Sequence, residues 1–196
     1  MPITNGYATL AEVKAAMRII DSVDDDLLEL AIDAASRQID GHCERVFYST
    51  DGARIYTALD NYLTEIDDLA AITELKTSSD GDGFDTTWAA TDYQLEPLNG
   101  QAGGISSPAT FIRATGDYLF PRMGQEALVK VTGTFGWSAI PIAIKQATLI
   151  LAQRQFKRYD SPLGVAGIGD IGIIRVSRID PDVASLIAPF RRRRVA

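Results

Sequence analysis

Helical periodicity runs to about residue 45 of this 196-residue chain, gives way to strand-like runs, and returns after Trp137. That order constrains the fold more than any other feature. The helical stretches on either side of the break each lack a sufficient core of their own, so they must pack on each other. The sequence therefore predicts one discontinuous α-helical bundle, from residues 1–45 and 138–196. A β-rich domain, residues 46–137, is inserted into it. The fold class is α+β, with the insertion an antiparallel sandwich or barrel-like unit.

The helices have physical signatures. Thr9 and Glu12 have capping-box spacing, in which the Thr hydroxyl serves one exposed amide and the Glu reaches back to another. A helix over residues 10–20 follows, with Leu10, Val13, Met17 and Ile20 on one face. Asp24, Asp25 and Asp26 suit a first helical turn, where the dipole favours negative charge. Leu28, Ile32, Ala35, Ile39 and Cys43 then form a stripe some five turns long. After Pro141, a good starting residue, residues 142–158 are apolar nearly all round. That predicts a helix buried on more than one side, with Ile144, Leu149, Ile150 and Leu151 in the core. Asp180 and Pro181 read as the cap and first residue of a last short helix, residues 181–188.

Between the helical parts, β-branched and aromatic runs predict strands at residues 54–59, 72–77, 93–96, 110–114 and 128–135. Asp80-Gly81-Asp82-Gly83, Asn99-Gly100 and Gly103-Gly104 supply turns. Residues 161–172, with four glycines, read as a loop, and residues 173–179 as a short strand.

Charge is unevenly spread. Residues 1–100 hold 20 acidic and 6 basic side chains, a net −14; residues 101–196 hold 6 and 13, a net +7. Unlike halves can attract copies of one molecule head to tail, which builds rings when the rotation closes. The same charges also read as solvated surface. The acidic pI near 4.7 argues against a general nucleic-acid binder. No apolar run approaches the roughly 18 residues that span a bilayer, so no membrane association is expected. The opening residues lack a signal-peptide pattern, and the lone Cys43 excludes an internal disulfide. Synthesis in a cytoplasm is the expectation.

Chemical motifs are weak. Residues 167–172 spell G-x-G-x-x-G but lack the preceding strand and following helix that a dinucleotide site needs. Asp80, Asp82 and Asp85 suggest a calcium loop, yet Phe84 and Thr91 stand where an EF-hand wants acceptors, so a tight turn is the better reading. His42 and Cys43 are adjacent and diverge by about 100° on a helix, which precludes a compact zinc pair. No catalytic residues, metal or cofactor are expected. The tail Phe190, Arg191, Arg192, Arg193, Arg194 fits either DNA phosphates or an acidic protein surface, with Leu186 and Phe190 as the apolar anchor of the latter.

Several strings together resemble head–tail connector (adaptor, or head-completion) proteins of long-tailed bacteriophages. They are Tyr7-Ala8-Thr9-Leu10-Ala11-Glu12; Asp25-Asp26-Leu27-Leu28 through Ala34-Ala35-Ser36-Arg37-Gln38-Ile39-Asp40; and Arg45-Val46-Phe47. Thr91-Asp92-Tyr93-Gln94-Leu95-Glu96-Pro97 lies in the insertion, and Val131-Thr132-Gly133-Thr134-Phe135-Gly136-Trp137 leads into Pro141 and the next helix. The resemblance implies a structural virion protein of the neck. It would form a ring, commonly of twelve copies, between the portal and the stopper or tail, extending the DNA channel and completing the head. It implies portal docking by Leu186, Phe190, Arg191, Arg192, Arg193 and Arg194. Beside it, the charge pattern suggests inter-subunit contacts from Asp24, Asp25 and Asp26 to Arg154, Lys157 and Arg158. Partners would be further copies of itself, the portal and a stopper or tail-completion protein, with non-specific contact to packaged DNA left open. Two other readings stand beside this one: a DNA-binding accessory protein using the arginine tail, and a metal-dependent hydrolase using carboxylates of the insertion.

Overall fold

A computed structural model describes residues 3–81, 83–121, 127–159 and 180–192. It is an α+β fold. The chain forms two compact units, Met1–Arg45 with Ile140–Ala196, and Val46–Ala139. The readings of residues 161–172 as a loop and 173–179 as a strand fall outside the described residues.

The first unit is helical. Helix α1 (Leu10–Met17) opens on the capping box: Glu12 N–H donates to Thr9 Oγ1 at 3.2 Å, and Thr9 N–H donates to Glu12 Oε2 at 2.8 Å. It stops three residues short of the predicted end. Arg18 turns left-handed (φ 59°) and Ile19 N–H donates back to Lys14 O at 2.9 Å. No glycine marks this cap, so no stop signal is legible there. Helix α2 (Asp25–Cys43) buries the predicted stripe completely: Leu28, Ile32, Ala35, Ile39 and Cys43 have no exposed surface.

Tyr7, also fully buried, ties the segment before α1 to α2. Its backbone N–H donates to Ser36 Oγ at 3.1 Å, its hydroxyl donates to Asp40, and Arg37 lies over its ring at 5.5 Å while pairing with Asp40 at 3.0 Å. Burial nevertheless holds the Asp40 carboxyl above its usual range, against the pull of the Tyr7 hydroxyl and Arg37.

Helix α3 (Ile142–Tyr159) packs on α2. Its buried face is Ile144, Ala147, Thr148, Leu151 and Ala152. This corrects the expectation of a helix buried on more than one side with all four large aliphatics in the core: Leu149 and Ile150 are half-buried, and Ile142 is 85% exposed. Only Ile144 and Leu151 among the predicted four contribute the roughly 1.5–3 kcal/mol of full burial. Helix α4 (Pro181–Ile187) starts where expected, with Asp180 Oδ1 accepting from Asp182 N–H at 3.0 Å, and runs into a 3₁₀ turn, Ala188–Phe190.

The second unit is antiparallel. Its strands are β1 (Thr50–Tyr56), β2 (Leu63–Thr77), β3 (Thr86–Thr87), β4 (Tyr93–Glu96), β5 (Gln101–Ala102), β6 (Ile105–Ser106), β7 (Ala109–Ala114) and β8 (Val129–Phe135). The main sheet runs β1-β8-β2-β7-β4, with β3 also on β2, and β5-β6 form a separate hairpin. The 15-residue β2 pairs β7 through Leu63 to Leu69 and β8 through Leu69 to Thr77, with register shifts along the way. Val129, Val131 and Phe135 of β8 join Ile66, Leu69, Leu75 and Ile112 in the core, and Trp88 stacks on Phe120 at 4.7 Å beside them.

Two glycines explain the Val131–Trp137 string. A Cβ on Gly133 would strike the Ala71 carbonyl oxygen where β2 bulges across β8. Gly136 sits at φ 99° and a Cβ there would strike the Tyr48 carbonyl oxygen. Its N–H donates to Asp68 O at 2.6 Å, and Trp137 Nε1 donates to Asp68 Oδ2 at 3.2 Å. Phe47 meets Trp137 at 5.4 Å, so the beginning and end of the unit come together. Gly136→Ala is expected to destabilise this unit by about 1–3 kcal/mol from backbone strain alone. The shift in urea midpoint, followed by tryptophan fluorescence, measures it; an unchanged midpoint would contradict the close approach.

Candidate assembly surfaces

The chain's acidic and basic parts meet first within one molecule. Residues 46–139 carry 13 acidic and 5 basic side chains, whereas the helical unit carries 13 and 14. The excess negative charge therefore resides in the β unit. Inside the helical unit, Lys145 of α3 pairs with Glu12 of α1 at 2.7 Å and holds that carboxyl below its usual range. Arg154 lies 3.5 Å from Asp180, and Lys14 pairs with Asp25 at 2.6 Å. Of the predicted inter-subunit residues, Asp25 and Arg154 thus already have partners in their own chain. Asp24 sits half-buried at the α2 cap position, Asp26 is exposed beside it, and Lys157 and Arg158 are exposed at the end of α3.

The C-terminal segment is stapled to α2. Val183, Ile187 and Phe190 are buried, Arg192 N–H donates to Cys43 O at 2.9 Å, and Cys43 Sγ donates to Ile187 O at 3.9 Å. Phe190 is therefore a core residue and not the exposed anchor the sequence suggested: the 3₁₀ turn folds its ring into the helical unit, where burial of an aromatic outweighs any gain from display. Leu186 is half-buried, Arg191 is exposed and Arg192 half-buried. Arg193 and Arg194 lie outside the described residues.

Burial pushes the Cys43 thiol up to about 11. It is an inert packing residue, with His42 half-buried beside it. Among the described residues, no three His, Cys, Asp or Glu side chains come together as metal ligands. Asp80 belongs to a turn in which Gly81 N–H donates to Ser78 Oγ at 2.9 Å, and Asp82 lies outside the described residues. The glycine motif at residues 167–172 also lies outside them. No described helix is long and apolar enough to cross a membrane.

Helix α1, helix α2 and the first two strands make one further match. Residues 7–77 fit the family model of phage gp6-like head-tail connector proteins. The resemblance to head–tail connectors read from the sequence is thus found by the family model. No curated protein sequence matches the chain. Solved structures similar to it come from gene transfer agent (GTA) particles. One, described as the virion of a native particle, is 23% identical over all of this chain and 95% of its own, with a TM-score of 0.58. Another, the neck of an empty particle computed with C6 symmetry, gives 22%, 100%, 95% and 0.57. A third, the neck of a native particle computed with C12 symmetry, gives 23%, 100%, 94% and 0.53. At these identities the likeness establishes the fold, which extends over both units.

The connector match gives the Tyr7 and Ser36-Arg37-Asp40 strings a physical sense, because those residues bond to one another. Two outcomes test the staple. Phe190→Ala is expected to destabilise the protein by about 3–5 kcal/mol, read by far-UV circular dichroism in urea. Raising pH is expected to weaken the helical unit between 9 and about 11: the unfolded thiol ionises near 9.0, the folded one near 11, so the contribution of neutral Cys43 is intact below 9 and lost through that window. In Cys43→Ala the stability should change less steeply with pH there. An equal slope in both proteins would show that the thiol is not responsible.

Proposed function

We propose that this chain is a structural neck protein of a phage-like particle, forming a ring between the portal and the stopper or tail. The observation that carries this reading is the fit of residues 7–77 to the head–tail connector family in a chain whose whole fold is shared with GTA neck chains. The C6 and C12 symmetries with which those necks were computed favour a closed ring, with twelve copies as the expected number here. In this reading the chain performs no chemistry, extends the DNA channel and completes the head for tail attachment. It would assemble in the host cytoplasm and end in the virion neck.

The arginines of the tail are the proposed portal contact. Arg191 is exposed immediately after Phe190, the buried residue of the 3₁₀ turn, so the fold supplies a fixed base for the proposed contact. Phe190 supports that base from inside.

Imaging of the protein with its portal tests the reading: a ring seated on the portal supports it, and particles with complete necks that lack this polypeptide overturn it. Replacing Arg191, Arg192, Arg193 and Arg194 by Ala is expected to weaken portal binding by roughly ten- to hundred-fold, about 1.4–2.8 kcal/mol. Thermal unfolding should stay near that of the parent protein. Full binding by the altered protein would remove the tail from the contact.

A further inference from the structure

The main sheet ends on β1, whose outer edge is open along seven residues, Thr50–Tyr56. Its other edge pairs with β8 in unbroken register, from Thr50 opposite Phe135 to Tyr56 opposite Val129. In such a pair alternate residues turn their N–H and C=O groups away from the partner, so about three or four residues of β1 point theirs outward. Among the described residues, no backbone hydrogen bond reaches β1 from any element but β8.

Natural sheet edges are blocked by lysine, by proline, by a bulge, by shortness or by a charge that an added strand would bury. β1 has no lysine, proline or bulge. Its two charges are already satisfied within the sheet: Arg54 pairs with Asp67 at 2.7 Å and lies over the Phe135 ring at 4.2 Å, and Thr134 Oγ1 donates to Asp51 Oδ1 at 2.6 Å. Gly52 and Ala53 between them are small and exposed. The opposite edge differs, because β4 has only four residues and Pro97 follows it.

The chain also holds a strand pattern that lacks a sheet. Ile173, Ile174, Val176 and Ile179 predict a strand over residues 173–179. That stretch lies outside the described residues. It belongs to the helical unit, whose described elements are α1 to α4 and the 3₁₀ turn. It matches β1 in length. It carries Arg175 and Arg178 and no carboxylate, whereas the β unit holds 13 acidic and 5 basic side chains.

We infer that residues 173–179 of one copy add as a strand to the β1 edge of a second copy. The inference rests on the ring reading and names a contact that would build the ring. Each copy gives a strand and takes one, the heterologous arrangement that closes into rings. Pairing of β1 with β1 of a second copy would be isologous and stop at two copies. Main-chain hydrogen bonds give strand addition its affinity, and alternate side chains give it specificity. The charge difference between segment and β unit speeds the encounter.

The test uses dilute, isotope-labelled full-length protein and a synthetic peptide of residues 171–181 at millimolar concentration. Hydrogen exchange is read by NMR at the amides of β1. Without peptide, the outward amides should exchange as unpaired groups do. With about nine-tenths of the protein occupied they should slow about tenfold, while amides bonded to β8 change little. A peptide carrying both Arg175→Pro and Val176→Pro should have no effect. Proline cannot donate to the ladder, and two adjacent prolines remove a donor whichever way the strand faces.

Unchanged exchange at millimolar peptide overturns the pairing, and so does equal slowing by the double-proline peptide. Outward amides already protected in the dilute protein overturn it too, since the edge is then filled within one chain. If necks contain this polypeptide while the peptide leaves β1 untouched, the proposed function stands and this contact falls. If no neck contains it, the function falls whatever the peptide does.

Discussion

Helix α2 is the constraint on which the helical unit depends. Its apolar stripe is covered from two distant parts of the chain. Tyr7 locks the N-terminal segment onto it through Ser36, Arg37 and Asp40. The C-terminal segment closes on its last residue, with Cys43 bonded to both Ile187 and Arg192. Helix α3 covers the remaining face. Without α2 these segments would have nothing in common to pack against, and burial of the stripe is the largest favourable term available to them.

The β unit has its own pivot in β2. One long strand serves two neighbours in succession, which requires register shifts and a β8 backbone without a side chain at Gly133. Asp68, in this strand, is 4% exposed; its backbone carbonyl accepts from Gly136 N–H and its carboxylate Oδ2 from Trp137 Nε1. Burying a carboxylate is costly, and the Trp137 donor offsets part of that cost. The polar residue and the glycines therefore form one device that turns the chain as it leaves the sheet.

Much of this was legible in the residues. The capping box at Thr9 and Glu12, the α2 stripe, strand β4 and the Asp180 cap appear where periodicity and turn chemistry predict them. Other features were hidden for identifiable reasons. The end of α1 rests on a left-handed arginine rather than a glycine. The first half of β2 contains Glu65, Asp67 and Asp68, which break the expected alternation; Asp67 pairs with Arg54, and buried Asp68 accepts from Trp137. Phe190, followed by four arginines, reads as part of an exposed tail, and only tertiary packing reveals it as core.

The bond from Cys43 to Ile187 joins positions 144 residues apart. During translation, α2 emerges long before α3 and α4 exist to cover it. A nascent chain must carry an uncovered apolar helix while the whole β unit is synthesised, a state open to aggregation. Folding is then slow by topology, since distant segments have to find one another. The helical unit is thus completed only once α3 and α4 have been made, and its finished surface appears late.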